Sequence, residues 1–175
     1  MQTLTCKEFY VMLVEQLTEL VDTHSVSDKN AVVFDIDGTL FKEGVYEPSS
    51  TDDLITPVTD FYTYCLNHNV SPFIVTARPN YPKNMEMTNN ILKTINLEPK
   101  IAYFMKYGED PNITKAIARH DIKKHGYRVL MSIGDNTCDM GEHGGVGVLL
   151  NKTTDTHISY NITDKIPFTC KYVDY

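Results

Sequence analysis

Tryptophan is absent from the 175 residues, and the four cysteines (Cys6, Cys65, Cys138, Cys170) are widely scattered with no Cys-x-x-Cys pair. That spacing excludes the common zinc and dithiol frameworks and leaves reduced thiols as the reading. The six histidines show neither His-x-x-x-His nor His-Glu-x-x-His spacing, so none is expected to hold a metal or act as a base. Gly141, Gly144, Gly145 and Gly147 lack a following Lys-Ser/Thr, which rules out a Walker loop. No apolar run is long enough to span a bilayer; Val146 to Leu150 is typical. Sixteen basic residues face 23 acidic ones, and the resulting charge of −7 disfavours a general nucleic-acid surface. The N-terminal segment shows no basic stretch followed by an apolar core and a cleavage site, so a cytoplasmic protein is expected. The Asn-x-Thr triplets at Asn112, Asn151 and Asn161 then read as chance.

What remains is an ordinary globular composition, 42% apolar and 22% charged, at a length that suits one domain over residues 1–175. Apolar residues from Phe9 to Val21 fall mostly at helical spacing, predicting an opening helix over 7–21 that serves packing. Ala31 to Phe34 is a short β-branched run that stops abruptly at Asp35-Ile36-Asp37-Gly38-Thr39. Thr56-Pro57 reads as the cap and first turn of a helix to Asn67. Residues 72–75, 100–104, 128–133 and 146–150 read as further strands, and 83–96 and 110–125 as helices.

Strands alternating with helices imply an α/β domain with a mainly parallel, five-stranded sheet covered on both faces. Ligands of such sheets bind beyond the carboxyl ends of the strands, where the connections reverse direction. Asp35, Thr76 and Asp135 each stand where an apolar run ends, so three strands are expected to present polar groups to one crevice.

Asp35-Ile36-Asp37-Gly38-Thr39-Leu40 resembles the first motif, Asp-x-Asp-x-Thr, of haloacid-dehalogenase-like (HAD) phosphatases. The resemblance continues through Ile74-Val75-Thr76-Ala77-Arg78, Thr114-Lys115 with Arg119, and Gly134-Asp135-Asn136-Thr137-Cys138-Asp139. The motifs are most similar to the acid phosphatase and nucleotidase branch, from which Gly38 departs, since that branch usually carries Glu there. The resemblance implies a Rossmann-like three-layer sandwich with a minimal cap. It also implies a Mg²⁺-dependent phosphatase forming an aspartyl-phosphate.

The chemistry gives each residue a reason. A phosphate dianion repels an approaching carboxylate by about 4 kcal/mol per charge pair at about 4 Å and an effective dielectric near 20, so cations must stand close. Lys115 and one Mg²⁺ would supply them. By resemblance, Mg²⁺ is held by the Asp35 carboxylate, the Asp37 carbonyl and the Asp135 carboxylate, with Asp139 either binding through water or orienting the others. Asp35 would be the nucleophile, and Asp37 would protonate the leaving oxygen and then deprotonate water. Gly38 lets the chain turn, and Thr39 can fix that turn through its hydroxyl. Thr76 offers its hydroxyl and amide to the phosphoryl group. Arg78, expected to bind phosphate, can reach either the substrate or a neighbouring carboxylate. Lys106, directly after the third strand, competes with Lys115 for the cationic role. Cys138 lies nearby but reads as an incidental thiol.

Specificity in this family usually comes from inserted caps, and here the segment 41–55 is short. A minimal lid over an open site is therefore expected, with Tyr46, Tyr81 or Tyr107 available to stack on a base or sugar. The expected partner is a small phosphorylated substrate such as a nucleotide. One alternative is a polynucleotide 3′-end phosphatase, which the acidic balance disfavours. A second is a phosphorylation-dependent receiver domain, in which the acceptor Asp normally lies on a middle strand, whereas here the acidic pair opens the sheet. The oligomeric state is left open.

Overall fold

Alternate residues of the strand carrying Asp35 feed two different cores, and that alternation organises the molecule. The computed structural model describes residues 1–23 and 29–163, so Cys170 lies outside the described residues. Strands are β1 (Gln2–Thr5), β2 (Asn30–Phe34), β3 (Val70–Pro79), β4 (Ala102–Met105), β5 (Arg128–Gly134), β6 (Val146–Thr153) and β7 (His157–Thr163). Helices are α1 (Cys6–Thr23), α2 (Thr56–Asn67), α3 (Pro82–Thr94) and α4 (Pro111–Lys124). Val32 and Phe34 of β2 point into a large core with Phe9, Leu13 and Leu17 of α1, Phe61 and Tyr62 of α2 and Leu92 of α3. Ala31 and Val33 point the other way, onto Phe73, Val75 and the Ala118 and Ile122 face of α4. Fully burying side chains such as Phe9, Leu13 and Leu17 contributes about 2 kcal/mol each before the entropy cost of ordering them.

The sheet runs β1-β7-β6-β5-β2-β3-β4. Its five middle-to-edge strands β6, β5, β2, β3 and β4 are mutually parallel, while β7 pairs antiparallel to β6 and β1 antiparallel to β7. The expected five strands are thus corrected to seven. The added pair is antiparallel and half-buried, so it shows no continuous apolar run. The acidic pair also does not leave the first strand of the sheet: β1 precedes it in the chain, and β2 lies between β5 and β3.

From β2 the chain moves outward through β3 to β4, then returns through α4 to β5 on the other side of β2. The connection therefore reverses between β2 and β5, and their carboxyl ends flank the crevice where such sheets bind ligands. Asp35 N donates to the Ile133 carbonyl at 3.0 Å, tying the two strand ends together. At α2 the expected cap shifts by one residue: Thr56 is already helical and Ile55 precedes it without a side-chain cap, with Pro57 in the first turn. Asp110 caps α4 as its sequence suggested, accepting from Asn112 N at 2.9 Å.

Candidate active site

The exits of β2 and β5 are tight turns whose residues leave room for a carboxylate, whereas Thr76, expected where its strand ends, lies inside β3, which runs on to Pro79. After β2, the amides of Thr39, Leu40 and Phe41 all donate to the Ile36 carbonyl, at 3.1, 2.9 and 3.0 Å, and Gly38 N donates to the Phe41 carbonyl at 2.8 Å. Backbone bonds therefore hold this turn. The Thr39 hydroxyl, expected to fix it, is buried without a partner. Gly38 sits at φ +72°, and a Cβ on it would overlap the Asp135 carboxylate, so glycine here serves both the turn and the neighbouring acid. Gly134 plays the equivalent part after β5, where a Cβ would overlap Asp139.

These turns bring Asp35, Asp135 and Asp139 together, with one carboxylate oxygen from each lying within 4.8 Å of the others. Among the described residues this is the group able to hold a metal ion, and no histidine belongs to it. Lys115, buried near the start of α4, reaches into the cluster. Its Nζ donates to Asp35 Oδ1 at 2.9 Å and to Asp139 Oδ1. Lys106 is exposed, so the lysine that meets the acidic cluster is Lys115. The second oxygen of Asp139 accepts from Asn136 N at 3.0 Å.

The electrostatics follow from burial. Desolvation, reinforced by Asp139, outweighs Lys115 and pushes the Asp35 carboxyl up to about 8. Asp135 is raised in the same way, by burial and then by Asp139. Burial alone would lower Lys115, but Asp35 and Asp139 together hold its ammonium above the ordinary lysine value. Burial and Asp139 push the Cys138 thiol up to about 11, which leaves it protonated and a poor nucleophile.

Asp37 is separate from this cluster. Arg78 Nε and Nη2 donate to its two carboxylate oxygens at 2.9 and 2.8 Å, a planar two-point pairing. Arg78 therefore faces a carboxylate, one of the two partners its position allowed. Its Nη1 donates to the Thr88 hydroxyl of α3 at 3.2 Å, and Nη2 donates also to the Tyr46 carbonyl at 2.8 Å. The Tyr46 ring covers the guanidinium with its centroid 4.0 Å from Cζ, and the Tyr46 hydroxyl bonds Asn84. Tyr46 is thus engaged with Arg78, whereas Tyr81 and Tyr107 are exposed, with ring centroids 6.5 Å apart. Thr76 is buried, and its Oγ1 accepts from Arg78 N at 3.1 Å.

Two residues given no role from the sequence are structural keys. Thr88 anchors Arg78, and nothing in its helical setting signals this. Arg119 is buried one turn beyond Lys115, and its Nη1, Nη2 and Nε donate to the carbonyls of Cys138, Met140 and Glu142 at 3.0, 3.0 and 3.1 Å. The i,i+4 spacing from Lys115 was the available signal, since it places both cations on one face of α4.

A family model described as HAD superfamily, subfamily IIIB (acid phosphatase), matches residues 4–159. The search of curated proteins returns no match. No described helix is long and apolar enough to cross a membrane. With a match running from β1 into β7, a central strand ending in the Asp-x-Asp turn and an acidic cluster suited to a divalent ion, the chain belongs to the subfamily IIIB acid phosphatases of the HAD superfamily and is a phosphoric monoester hydrolase.

Proposed function

We propose that the protein is a Mg²⁺-dependent phosphatase that hydrolyses small phosphomonoesters, nucleotides among them, through an aspartyl-phosphate on Asp35. The observation that carries this reading is the Lys115 ammonium, bonded to Asp35 and Asp139 beside the Asp135 carboxylate.

The donor set fits a divalent cation. Three carboxyl groups face one ammonium in a largely buried site, and burial, reinforced by Asp139, raises both Asp35 and Asp135, a cost that a bound cation would relieve. All the donors are oxygens, which suits Mg²⁺ and its reluctance to shed water. Asp35 and Asp135 would hold it with the Asp37 carbonyl, while Asp139, with both oxygens engaged, orients Lys115. When bound, the ion supplies charge neutralisation that keeps Asp35 ionised and offsets its repulsion of the phosphate.

The protein groups then divide the reaction. A carboxylate oxygen of Asp35 attacks phosphorus, the bond from phosphorus to the ester oxygen breaks, and Asp37 gives its proton to that oxygen. Water next attacks the same phosphorus, Asp37 takes its proton, and the bond to Asp35 breaks to release inorganic phosphate. Lys115 has three N–H donors and uses two on Asp35 and Asp139, so the third is available to a phosphoryl oxygen. Thr76 offers its hydroxyl and amide to the same group. A cleft of about 400 Å³, lined by Thr76, Lys115, Thr114, Met105 and Glu109, borders this position and is of a size for a small ligand. Residues 41–55, which contain a 3₁₀ turn at Thr51–Asp53 and an isolated bridge between Phe41 and Leu54, would act as a minimal lid on a single-domain enzyme.

Hydrolysis of p-nitrophenyl phosphate with Mg²⁺ should be abolished by EDTA and by Asp35→Asn. Labelled phosphate should be trapped on the wild-type chain in a base-labile form and on no Asp35→Asn protein. Turnover that survives Asp35→Asn would end the proposal. A screen of nucleotides, sugar phosphates and 3′-phosphorylated oligonucleotides would identify the substrate, the last group being the least favoured by the acidic balance.

A further inference from the structure

Arg78 has few donors left for a phosphate. A guanidinium carries five N–H groups, and here Nε serves Asp37, Nη2 serves Asp37 and the Tyr46 carbonyl, and Nη1 serves Thr88, so four are taken. The residue is 3% exposed, and the rings of Phe41 and Tyr46 lie against its planar group, with centroids 5.4 and 4.0 Å from Cζ. Such packing fixes a guanidinium in one orientation and leaves no open two-point face for a phosphoryl group.

Its anchors come from two places. Thr88 is fully buried in α3, and the Tyr46 carbonyl belongs to the 41–55 segment. The Tyr46 hydroxyl is bonded to Asn84 of the same helix. Asp37, by contrast, keeps 45% of its side chain exposed. Held on one side by a rigid fork, its carboxylate still presents lone pairs outward.

We propose that Arg78 is a positioning residue for Asp37 rather than a ligand of the phosphoryl group, and that Thr88 and Tyr46 keep it in register. The inference rests on the proposed role of Asp37 as the acid that protonates the leaving oxygen. A pre-oriented acid needs no search for its proton-transfer geometry when the ester bond breaks. The same contacts join the 41–55 segment to that acid, so a shift of Tyr46 shifts the support of Asp37.

The test compares kcat/KM for p-nitrophenyl phosphate, whose leaving group needs little protonation, with that for glycerol phosphate, whose alkoxide must be protonated. This parameter covers the step in which the ester bond breaks and is blind to the later release of phosphate from Asp35. Arg78→Lys keeps the charge and loses the fork. Its loss on glycerol phosphate should exceed its loss on p-nitrophenyl phosphate by about tenfold or more, a part of the roughly 10²–10⁴-fold that a positioned acid contributes. The Ki for inorganic phosphate should stay within about twofold, since no phosphate contact is removed. Thr88→Val, which removes an anchor and leaves the charge pair intact, should give a smaller split in the same direction, and it carries the test if Arg78→Lys fails to fold. Equal losses on both substrates together with a weakened phosphate Ki would make Arg78 a phosphate ligand and overturn the proposal. Asp37→Asn separates the two layers. If it shows the split and neither Arg78→Lys nor Thr88→Val does, the positioning role alone falls; if it shows none, the acid role of Asp37 falls with it.

Discussion

Gly38 is constrained twice over, because its φ of +72° and the nearby Asp135 carboxylate both exclude a side chain. Gly38→Ala is expected to cost about 1–2 kcal/mol in stability from the left-handed backbone. It should also displace Asp135 and weaken Mg²⁺ binding by about tenfold or more, a scale typical of disturbed ligand supports. Thermal melting and a Mg²⁺ titration of activity would register the two effects separately. Asp35 supports a second expectation. Its folded-state carboxyl is raised to about 8, against an unfolded value near ~4. The unfolded chain therefore ionises first as pH rises, and stability held at low pH is lost between about pH 4 and 8. In EDTA, Asp35→Asn should melt close to wild type near pH 4 and progressively above it toward pH 8. A gap that stays constant or reverses would contradict the assigned cause. The carboxylates were legible in the sequence because apolar runs end on them. The partner of Arg78 was not, because which of two acceptors a long side chain meets depends on Thr88 and Tyr46, residues brought up by tertiary packing.

At the scale of elements, α4 carries more of the site than Lys115 alone suggests. Lys115 delivers the ammonium, and Arg119 fastens the loop that holds Asp139 by donating to three carbonyls. Arg119→Lys keeps the charge but cannot match that fan of acceptors. Leaving the buried Met140 carbonyl and the part-buried Cys138 and Glu142 carbonyls without these bonds should cost about 3 kcal/mol, or about 6–12 °C in melting temperature for a chain of this size. Differential scanning calorimetry would measure it, and a change under about 1 kcal/mol would show that water replaces the guanidinium. The elements themselves were unevenly legible. Continuous apolar runs disclosed β2, β3, β4, β5 and β6, which belong to a parallel sheet covered on both faces. In β7 the signal is the alternation of Ile158, Tyr160 and Ile162 with polar neighbours, and only the first two are fully buried. β1, Gln-Thr-Leu-Thr, has one large apolar residue and pairs only with β7 among the described residues, so nothing in its four positions distinguishes it from a loop.

For the molecule as a whole, the acidic cluster is a joint between elements far apart in the chain. Asp35 follows β2, Asp135 and Asp139 follow β5, and Lys115 stands on the helix that crosses between β4 and β5. Their meeting depends on the reversal of chain direction at the centre of the sheet, and the burial of these carboxyl groups works against it. An ion that binds only this assembled arrangement should therefore stabilise the entire fold. At about 100 times its dissociation constant, Mg²⁺ should add about 2.7 kcal/mol, raising the melting temperature by about 5–11 °C over the EDTA-treated protein. Asp135→Asn, which removes one carboxylate from the cluster and leaves the Lys115 pairs in place, should lose most of that rise, while the exposed Lys106→Ala should retain it. NaCl at matched ionic strength separates site binding from general screening of the acidic surface, because screening acts without regard to Asp135. If the Asp135→Asn protein gained as much as wild type from Mg²⁺, the ion would be acting on the surface charge of −7 and not on the meeting point of β2, β5 and α4.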